Sequence, residues 1–274
     1  MTTAAEALRD AAARLAETSD SARLDAEVLM AHALGVSRSD LLLRHMRDAT
    51  PEGFAALVAR RMAHVPVAYI VGEQEFYGRP FRVTPDVLIP RGDSEATLAA
   101  GLDGADEAGR VLDLGTGSGA LLLSFLAEMP GWRGVGIDRS AEALAVAGEN
   151  AMRLGVAGRA KLARADWREA GWAAGLGRFE RVIGNPPYVE DTADLAPSVR
   201  DHEPAGALFA GPEGLDDYRA LIPQLRGLLA AGGAAVLEIG AAQADSVGEI
   251  AREAGFAAEL RRDLAGRPRA LILR

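Results

Sequence analysis

The sequence predicts an α/β protein in which a mainly parallel sheet follows a small helical domain. From Arg110 onward, short apolar runs alternate with helical patterns, the order expected when helices connect parallel strands. Before about residue 65, apolar residues recur at helical spacing instead. We therefore expect a helical domain (1–66), a β-hairpin linker (67–90) and a sheet domain (91–274).

Composition restricts the class of protein. A chain of 274 residues with 49% hydrophobic and 5% aromatic residues can bury a substantial core. The absence of cysteine excludes disulfides, thiol nucleophiles and cysteine-ligated metals. With no apolar run near the roughly 20 residues of a membrane span and no signal-peptide core, we expect a cytoplasmic protein. A net charge of -9 disfavours stable nucleic-acid binding through phosphates, although a local basic groove can coexist with an acidic total.

The N-terminal domain carries clear helix signals but no catalytic set. Thr3-Ala-Ala-Glu6 has the pattern of a capping box, and Leu8 and Leu15 follow on one helical face. Three histidines fall at irregular spacings, so we interpret them as surface or packing residues: His32, His45 and His64. The domain either recognises a partner or stabilises the rest of the chain.

The pattern changes after Pro66. Three short β-like runs follow: Tyr69–Val71, Glu75–Tyr77 and Pro80–Val83. Gly72, Gly78 and Pro85 separate or end these runs, as expected for a hairpin that bridges two domains. In the next segment, Leu88-Ile-Pro-Arg-Gly-Asp-Ser-Glu95, Asp93 or Ser94 is placed to cap a helix. The same segment could instead border a ligand pocket.

The sheet domain has seven predicted strands. Five of them alternate with helices: Val111–Leu114, Gly134–Asp138, Ala160–Ala165, the run ending at Val182-Ile183, and Ala234–Ile239. The helices are expected over 120–129, 141–154, 216–230 and 243–254. Two final runs, 257–262 and 270–273, flank Gly266-Arg-Pro268 and predict an antiparallel pair at the sheet edge.

Ligand signals lie at the carboxyl ends of the first three of these strands. Gly115-Thr-Gly-Ser-Gly119 follows the first strand, Asp138 ends the second, and Asp166-Trp167 ends the third. An acid about 20 residues after a glycine turn can bind ribose hydroxyls, and Trp167 could cover an adenine. The loop also fits a relaxed dinucleotide pattern, but the continued glycines and Asp113 favour an adenosine ligand without a pyrophosphate. Helix capping by the acids and core packing by Trp167 are the alternatives.

The segment Asn185-Pro-Pro-Tyr188 ends the fourth of these strands. Pro186 keeps Asn185 out of the helical region, and Pro187 acts in the same way on Pro186. The prolines lack N–H groups, so the segment offers carbonyl oxygens with few competing donors. Such a surface accepts hydrogen bonds from an NH2 group, and the flat ring of Tyr188 can cover it. A stiff proline loop without a function is the alternative.

Together these motifs resemble a known family. Asp113-Leu-Gly-Thr-Gly-Ser-Gly119 with Asp138 looks like the S-adenosylmethionine site of class I methyltransferases, and Asn185-Pro-Pro-Tyr188 looks like their amino-methylating signature. The closer resemblance is to the HemK-like protein-(glutamine-N5) methyltransferases that modify peptide chain release factors. It spans nearly the whole chain, through the helical front and these motifs: Ala68–Gly72, Glu75–Gly78, Leu88–Arg91, Glu203-Pro204, Leu237–Gly240 and Asp263–Gly266. The family usually has a proline where this chain has Gly92 and a threonine where it has Ser94.

The resemblance implies a class I methyltransferase fold, which is Rossmann-like, and a role for each motif. The cofactor S-adenosylmethionine, which becomes S-adenosylhomocysteine, would be held by these residues: Gly115, Thr116, Gly117, Ser118, Gly119, Asp138, Asp166, Trp167 and Asn185. Asn185, Pro186, Pro187 and Tyr188 would form the substrate-binding segment. In the implied mechanism, the Asn185 side-chain oxygen and the Pro186 carbonyl hold the substrate NH2 while Tyr188 packs on the amide plane. The methyl group moves by in-line displacement, with no metal and no obvious general base.

Three alternatives stay open at this point. The same glutamine chemistry could serve a ribosomal protein, although the Pro90–Glu95 segment looks more like the release-factor branch. An Asn-Pro-Pro-Tyr turn serves nucleobase amino groups equally well, but the sequence shows no Lys/Arg cluster for phosphate contacts. An NAD-dependent oxidoreductase would satisfy the relaxed glycine pattern and would leave the Asn-Pro-Pro-Tyr turn without a purpose.

Overall fold

The computed structural model describes residues 2–274 and divides into two compact units. The helical unit contains the residues up to Glu73 together with Leu195–His202, and the sheet unit contains Gln74–Asp194 and Glu203–Arg274. No helix among the described residues is long and apolar enough to cross a membrane.

The described residues form twelve α-helices and nine strands. The helices are α1 Ala4–Leu15, α2 Ala22–Leu34, α3 Arg38–Asp40, α4 Phe54–Met62, α5 Val67–Val71, α6 Glu95–Leu102, α7 Ala120–Glu128, α8 Ala141–Arg153, α9 Pro197–Arg200, α10 Asp216–Leu221, α11 Leu225–Leu228 and α12 Ala244–Glu253. The strands are β1 Glu73–Phe76, β2 Arg79–Arg82, β3 Ala108–Leu114, β4 Gly131–Asp138, β5 Ala160–Arg164, β6 Phe179–Gly184, β7 Leu229–Glu238, β8 Ala258–Arg262 and β9 Pro268–Leu273.

The helical unit packs around the apolar faces of α1, α2 and α4. The capping box predicted at the start of α1 is confirmed, because Glu6 N–H donates to Thr3 while the Glu6 carboxylate accepts from the Thr3 N–H. Leu8 and Leu15 are fully buried. A buried ion pair joins α2 to α4, with 2.7 Å between Arg61 Nε and Asp25 Oδ2.

The run Tyr69–Val71 is helical, so its predicted β structure is wrong. It forms most of the short helix α5, which begins after Pro66 and ends at Gly72 in the left-handed region. Tyr69 and Ile70 are both buried, and burial in this packed unit outweighs the extended preference of aromatic and branched residues. The other two runs do form a hairpin, β1 and β2. Its two turn residues, Tyr77 and Gly78, both have positive φ, as the tightest hairpin turns require.

The seven-stranded sheet confirms the predicted architecture. Its strand order is β5-β4-β3-β6-β7-β9-β8, and β9 runs antiparallel to both of its neighbours while the other pairs are parallel. Alternate residues of the central strands enter two different hydrophobic clusters, for example Leu112 in one and Val111 in the other. Both faces of the sheet are therefore covered, as a parallel sheet requires.

The long helix predicted over 216–230 is interrupted. Residues Ile222–Gln224 form a 3₁₀ turn between α10 and α11, and β7 begins already at Leu229. Pro223 lacks the N–H that would continue the helical ladder, so the helix tightens there. Buried leucine and isoleucine side chains on both sides of the interruption keep the apolar face in the core: Leu221, Ile222, Leu225 and Leu228.

Gly134 and Gly136 in β4 let helix α7 approach the sheet closely. A Cβ atom at Gly134 would lie 2.4 Å from Leu122 Cδ1 and 3.2 Å from Leu126 Cδ1. Both leucines are fully buried, so neither can swing into solvent. The close packing of α7, the helix that follows the glycine turn, therefore requires glycine at these positions of β4.

We expect Gly134→Ala to destabilise the protein by about 1–3 kcal/mol, because the added methyl group overpacks the helix–sheet contact. Urea unfolding monitored by far-ultraviolet circular dichroism measures the change. Gly158→Ala is the matched control, since that glycine is exposed and an added Cβ would meet no atom within 4 Å. Equal stability of the two variants would contradict this account of the packing.

Candidate functional site

A cavity of about 360 Å³ lies in the sheet unit at the carboxyl ends of β3, β4, β5 and β6. Parallel pairing brings these ends to one edge, because Leu114 of β3 pairs with Ile137 on one side and with Gly184 on the other. The volume is within the range of small-molecule sites, and open α/β sheets bind their ligands at this edge. We call it the strand-end cavity.

The glycine turn forms one wall of the cavity. Gly115, Gly117 and Gly119 all have positive φ, and the N–H groups of Gly115 and Thr116 donate to the Ile137 carbonyl. Gly115 through Ser118 line the cavity. Gly119 is not among the lining residues and begins α7 instead. A Cβ at Gly119 would lie 2.6 Å from Leu123, so this glycine serves the helix start.

Asp138 lines the cavity with its carboxylate held in place by two backbone donors. Gly117 N–H donates to Oδ2 at 2.9 Å and Ser140 N–H donates to Oδ1 at 2.9 Å. Each carboxylate oxygen keeps a further lone pair. The acid therefore has the capacity to accept hydroxyl groups from a ligand as well as to order the glycine turn.

Asp166 and Trp167 both line the cavity, as expected for the residues after β5. A Cβ atom at position 115 would lie 3.3 Å from the Trp167 ring, so glycine lets the turn and the ring approach closely. Trp167 Nε1 donates to Asp217 Oδ1 at 2.9 Å, and Arg168 pairs with the same buried carboxylate. Asp217 also lines the cavity. Its sequence shows only an acid in the first turn of a helix, which is too general to indicate a binding residue.

Asp113 is a buried carboxyl group that borders the cavity with one oxygen unpaired. Its side chain accepts a 2.7 Å hydrogen bond from Thr116 at Oδ2, while Oδ1 has no partner in the part of the chain that the structure describes. Burial raises the pKa of Asp113 to about 7, and the neighbouring charge of Asp138 acts in the same direction. An unpaired buried acceptor of this kind suits a donor or cation brought by a ligand.

The start of the Asn-Pro-Pro-Tyr segment contributes to the cavity beside the glycine turn. Asn185 and Pro187 line the cavity, whereas Pro186 is buried and Tyr188 packs against the hydrophobic cluster that contains β7. Hydrogen bonds between Val189 and the chain at 208–210 hold the end of the segment, and Gln243 donates to the Tyr188 carbonyl. The start of the segment follows Gly184, which pairs with Leu114 of β3 and Leu237 of β7, so both ends are held. Burial, followed by the charge of Glu238, raises the pKa of Tyr188 to about 12, so its phenol stays neutral near pH 7.

The turn before α6 faces Asn185. The prediction that Asp93 or Ser94 caps α6 is wrong. Neither Asp93 nor Ser94 makes a capping hydrogen bond, because a 3₁₀ turn over Gly92–Ser94 leads directly into α6. Asp93 instead pairs with Arg269 and Arg267, and Ser94 Oγ lies 3.5 Å from Asn185 Nδ2. The alternative prediction, that this segment borders a pocket, is met by Arg91 and Ser94.

Arg91 connects two of the motifs quoted from the sequence. Its guanidinium donates to the buried carboxylate of Glu203, which also accepts from the Ile89 N–H. Pro204, the next residue, lines the cavity together with Arg91. The two motifs are about a hundred residues apart in the chain, and this ion pair places them on one wall.

The family models match both parts of the chain. The PrmC N-terminal domain model matches residues 6–72, and the methyltransferase small domain model matches residues 94–200. The release factor glutamine methyltransferase of Cereibacter sphaeroides is 44% identical, covering 99% of this chain and 98% of the relative. The chain belongs to the release factor glutamine methyltransferase family.

Further comparisons agree with this family. The release factor glutamine methyltransferase of Rhodospirillum rubrum is 40% identical, covering 92% of this chain and 78% of the relative. A methyltransferase from Pyrococcus furiosus of known structure superposes with a TM-score of 0.54 at 16% identity, covering 80% of this chain and 96% of that one. The latter likeness concerns the fold alone, and it confirms the class I methyltransferase architecture that the motifs implied.

We expect Asp113→Asn to change the pH dependence of stability. A carboxyl group whose pKa is raised to about 7 stabilises the fold below its unfolded pKa and loses that contribution as pH rises through 7. The asparagine variant lacks this loss. Its stability relative to the unaltered protein should therefore increase by about 2–3 kcal/mol between about pH 5 and pH 8.

Urea unfolding of the ligand-free proteins at each pH measures this difference. Glu238, whose pKa is also raised to about 7, is present in both proteins and cancels. Asp10→Asn, at an exposed position, controls for the loss of one negative charge. A pH-independent difference for Asp113→Asn would show that Asp113 titrates normally in the folded protein.

Proposed function

We propose that this chain transfers a methyl group from S-adenosylmethionine to the side-chain amide nitrogen of a glutamine in a peptide chain release factor. The observation that carries the proposal is the meeting of the Asn-Pro-Pro-Tyr segment and the glycine turn in one cavity. The family relatives, which are named for this activity, support the choice of substrate.

The residues of the strand-end cavity suit this cofactor. Asp138 is oriented by two N–H donors and can accept ribose hydroxyls, while Asp166 and Trp167, which line the cavity, can border an adenine. The unpaired Oδ1 of Asp113 offers an acceptor to the ammonium group of the amino-acid portion. When bound, S-adenosylmethionine would supply an electrophilic methyl group on a positively charged sulfur.

Catalysis then rests on orientation of the substrate. An amide nitrogen is a poor nucleophile because its lone pair is delocalised, so the protein must align it rather than deprotonate it. We propose that Asn185 Oδ1 and the Pro186 carbonyl accept the two hydrogens of the substrate NH2. Pro186 keeps Asn185 extended and Pro187 does the same for Pro186. Packing of the Tyr188 ring on the amide plane stays a prediction.

Proton transfer needs no strong base in this scheme. Methylation gives a positively charged amide nitrogen that is strongly acidic, so its proton leaves readily to water after the transfer. The raised pKa of Tyr188 keeps the nearby phenol neutral and excludes it as a phenolate base at pH 7. Toward the substrate, Asn185 acts as an acceptor through Oδ1, and its carboxamide does not itself titrate near pH 7.

The substrate class is tested by methyl transfer from labelled S-adenosylmethionine to purified release factor, ribosomal protein and RNA in parallel. We expect label on the release factor alone, and mass mapping should place it on a glutamine side chain. Label on RNA with none on the release factor would overturn the proposal. Label on the ribosomal protein alone would keep the chemistry and replace the partner.

We expect Asn185→Ala to lower kcat by at least about 100-fold, because the NH2 loses the acceptor that aligns it. Binding of S-adenosylhomocysteine, measured by calorimetry, should change less than about threefold. This pair of measurements separates a lost catalytic contact from a damaged cofactor site. Wild-type turnover in the variant would remove Asn185 from the mechanism.

A further inference from the structure

The indole ring of Trp167 is held at both of its ends. At one end, Nε1 donates to Oδ1 of Asp217 in α10 at 2.9 Å. At the other end, Cη2 lies so close to the glycine turn that a Cβ atom at Gly115 would be 3.3 Å away. All three residues line the strand-end cavity, so the ring spans one side of it from α10 to the glycine turn.

Asp217 is a well-fixed acceptor for this ring. Its side chain is 5% exposed, so water competes little for the carboxylate. Arg168 donates to both carboxylate oxygens, from Nε to Oδ1 at 3.2 Å and from Nη2 to Oδ2 at 3.0 Å. A guanidinium that contacts both oxygens fixes the plane of a carboxylate. The oxygen that accepts from Trp167 is therefore held in one place.

The helix that carries Asp217 is itself anchored to the sheet. The neighbouring Tyr218 is fully buried, and its hydroxyl donates to the Glu238 carbonyl in β7 at 2.7 Å. In the 3₁₀ turn after α10, Gln224 Nε2 donates to the Trp167 carbonyl at 3.0 Å. One segment of the chain thus holds both the backbone and the ring of Trp167, and Asp217 supplies the contact to the ring.

We infer that Asp217 is a positioning residue that fixes the orientation in which the Trp167 indole borders the adenine of the cofactor. The inference rests on the proposed function, in which S-adenosylmethionine occupies the strand-end cavity. A tryptophan ring can turn about two side-chain bonds, and a hydrogen bond at Nε1 selects one orientation. Because this orientation is set before the cofactor arrives, binding does not have to order the ring. Asp217 takes no part in the methyl transfer itself.

Calorimetric binding of S-adenosylhomocysteine tests the inference. We expect Asp217→Ala to weaken binding by about 10-fold, because Nε1 loses the acceptor that fixes the ring. Asp217→Asn keeps an oxygen for Nε1, and the half-exposed Arg168 can turn to water. Binding in that variant should stay within about threefold of the unaltered protein. Unchanged affinity in Asp217→Ala would overturn the inference.

A double variant separates action through Trp167 from a direct contact to the cofactor. A carboxylate offers about four acceptor sites, and Trp167 and Arg168 already use three of those on Asp217. Trp167→Phe keeps a ring but removes Nε1, so adding Asp217→Ala should weaken binding no more than about twofold further. Losses that multiply in the double variant would show that Asp217 binds the cofactor directly, which contradicts positioning.

Trp172→Phe is the matched control. Trp172 lies in the same loop after β5, and its Nε1 donates to Gln224 Oε1 at 2.7 Å. It is not among the described residues that line the cavity. The variant loses an indole hydrogen bond of the same kind away from the cavity, so its affinity should stay within about twofold of the unaltered protein. A loss equal to that of Asp217→Ala would show that binding depends on loop packing in general, against the inference.

Two further readouts distinguish positioning from general support of the fold. In the ligand-free protein, proton NMR resolves the indole N–H groups of the three tryptophans, and Trp167→Phe identifies the Trp167 signal by its loss. In Asp217→Ala, only that proton should exchange faster with water. With a release factor as substrate, KM for S-adenosylmethionine should rise by about 10-fold while kcat at saturating cofactor stays within about threefold.

The outcomes separate this inference from the proposed function. If the unaltered protein binds no S-adenosylhomocysteine, the proposed function fails and the inference falls with it. If it binds this ligand and methylates a release factor while Asp217→Ala binds equally well, only the positioning role is wrong. A joint fall in affinity, kcat and melting temperature that Asp217→Asn does not restore would also contradict positioning, because it would show that Asp217 supports the fold alone.

Discussion

The site depends on the parallel pairing of β3 with β4 on one side and with β6 on the other. In this register Leu114 lies beside both Ile137 and Gly184, so the next residues of the three strands, Gly115, Asp138 and Asn185, emerge side by side. A shift of one residue in either pairing would turn each of these side chains to the opposite face of the sheet. The positions of the glycine turn, the acid and the amide therefore follow from backbone hydrogen bonds between the central strands of the sheet.

Four buried acids lie in or beside the elements that form the cavity, and they are stabilised in two ways. Glu203 pairs with Arg91, and Asp217 with Arg168 and the Trp167 ring nitrogen. Asp113 accepts from the Thr116 hydroxyl and Glu238 from the Thr97 hydroxyl, and burial raises the pKa of both to about 7. Arginine side chains therefore hold two of the four acids, and hydroxyl donors hold the other two.

Asn150 shows how residues outside the cavity maintain its shape. Its side chain is fully buried and donates to the carbonyls of Arg82 and Ser118 while accepting from the Arg82 N–H. It therefore joins the β-hairpin to the glycine turn, two segments that are adjacent in neither sequence nor sheet. Asn150 bonds only to backbone groups of Arg82 and Ser118. The side chains at those two positions therefore do not indicate the contact in the sequence.

The sequence by itself determined the sheet, the order of its elements and the motif residues that line the cavity, because alternating apolar patterns and glycine or proline turns act locally. It was wrong where tertiary packing competed with local preference, as at Tyr69–Val71, which buries its apolar side chains in a helix, and at Pro223, which divides the helix expected over 216–230. Only the tertiary structure decided that Ser94 faces Asn185 instead of capping α6, and that Thr97 donates to the buried carboxylate of Glu238. Those contacts join residues about 90 and 140 positions apart, and a local sequence pattern cannot record which distant side chains meet in the folded chain.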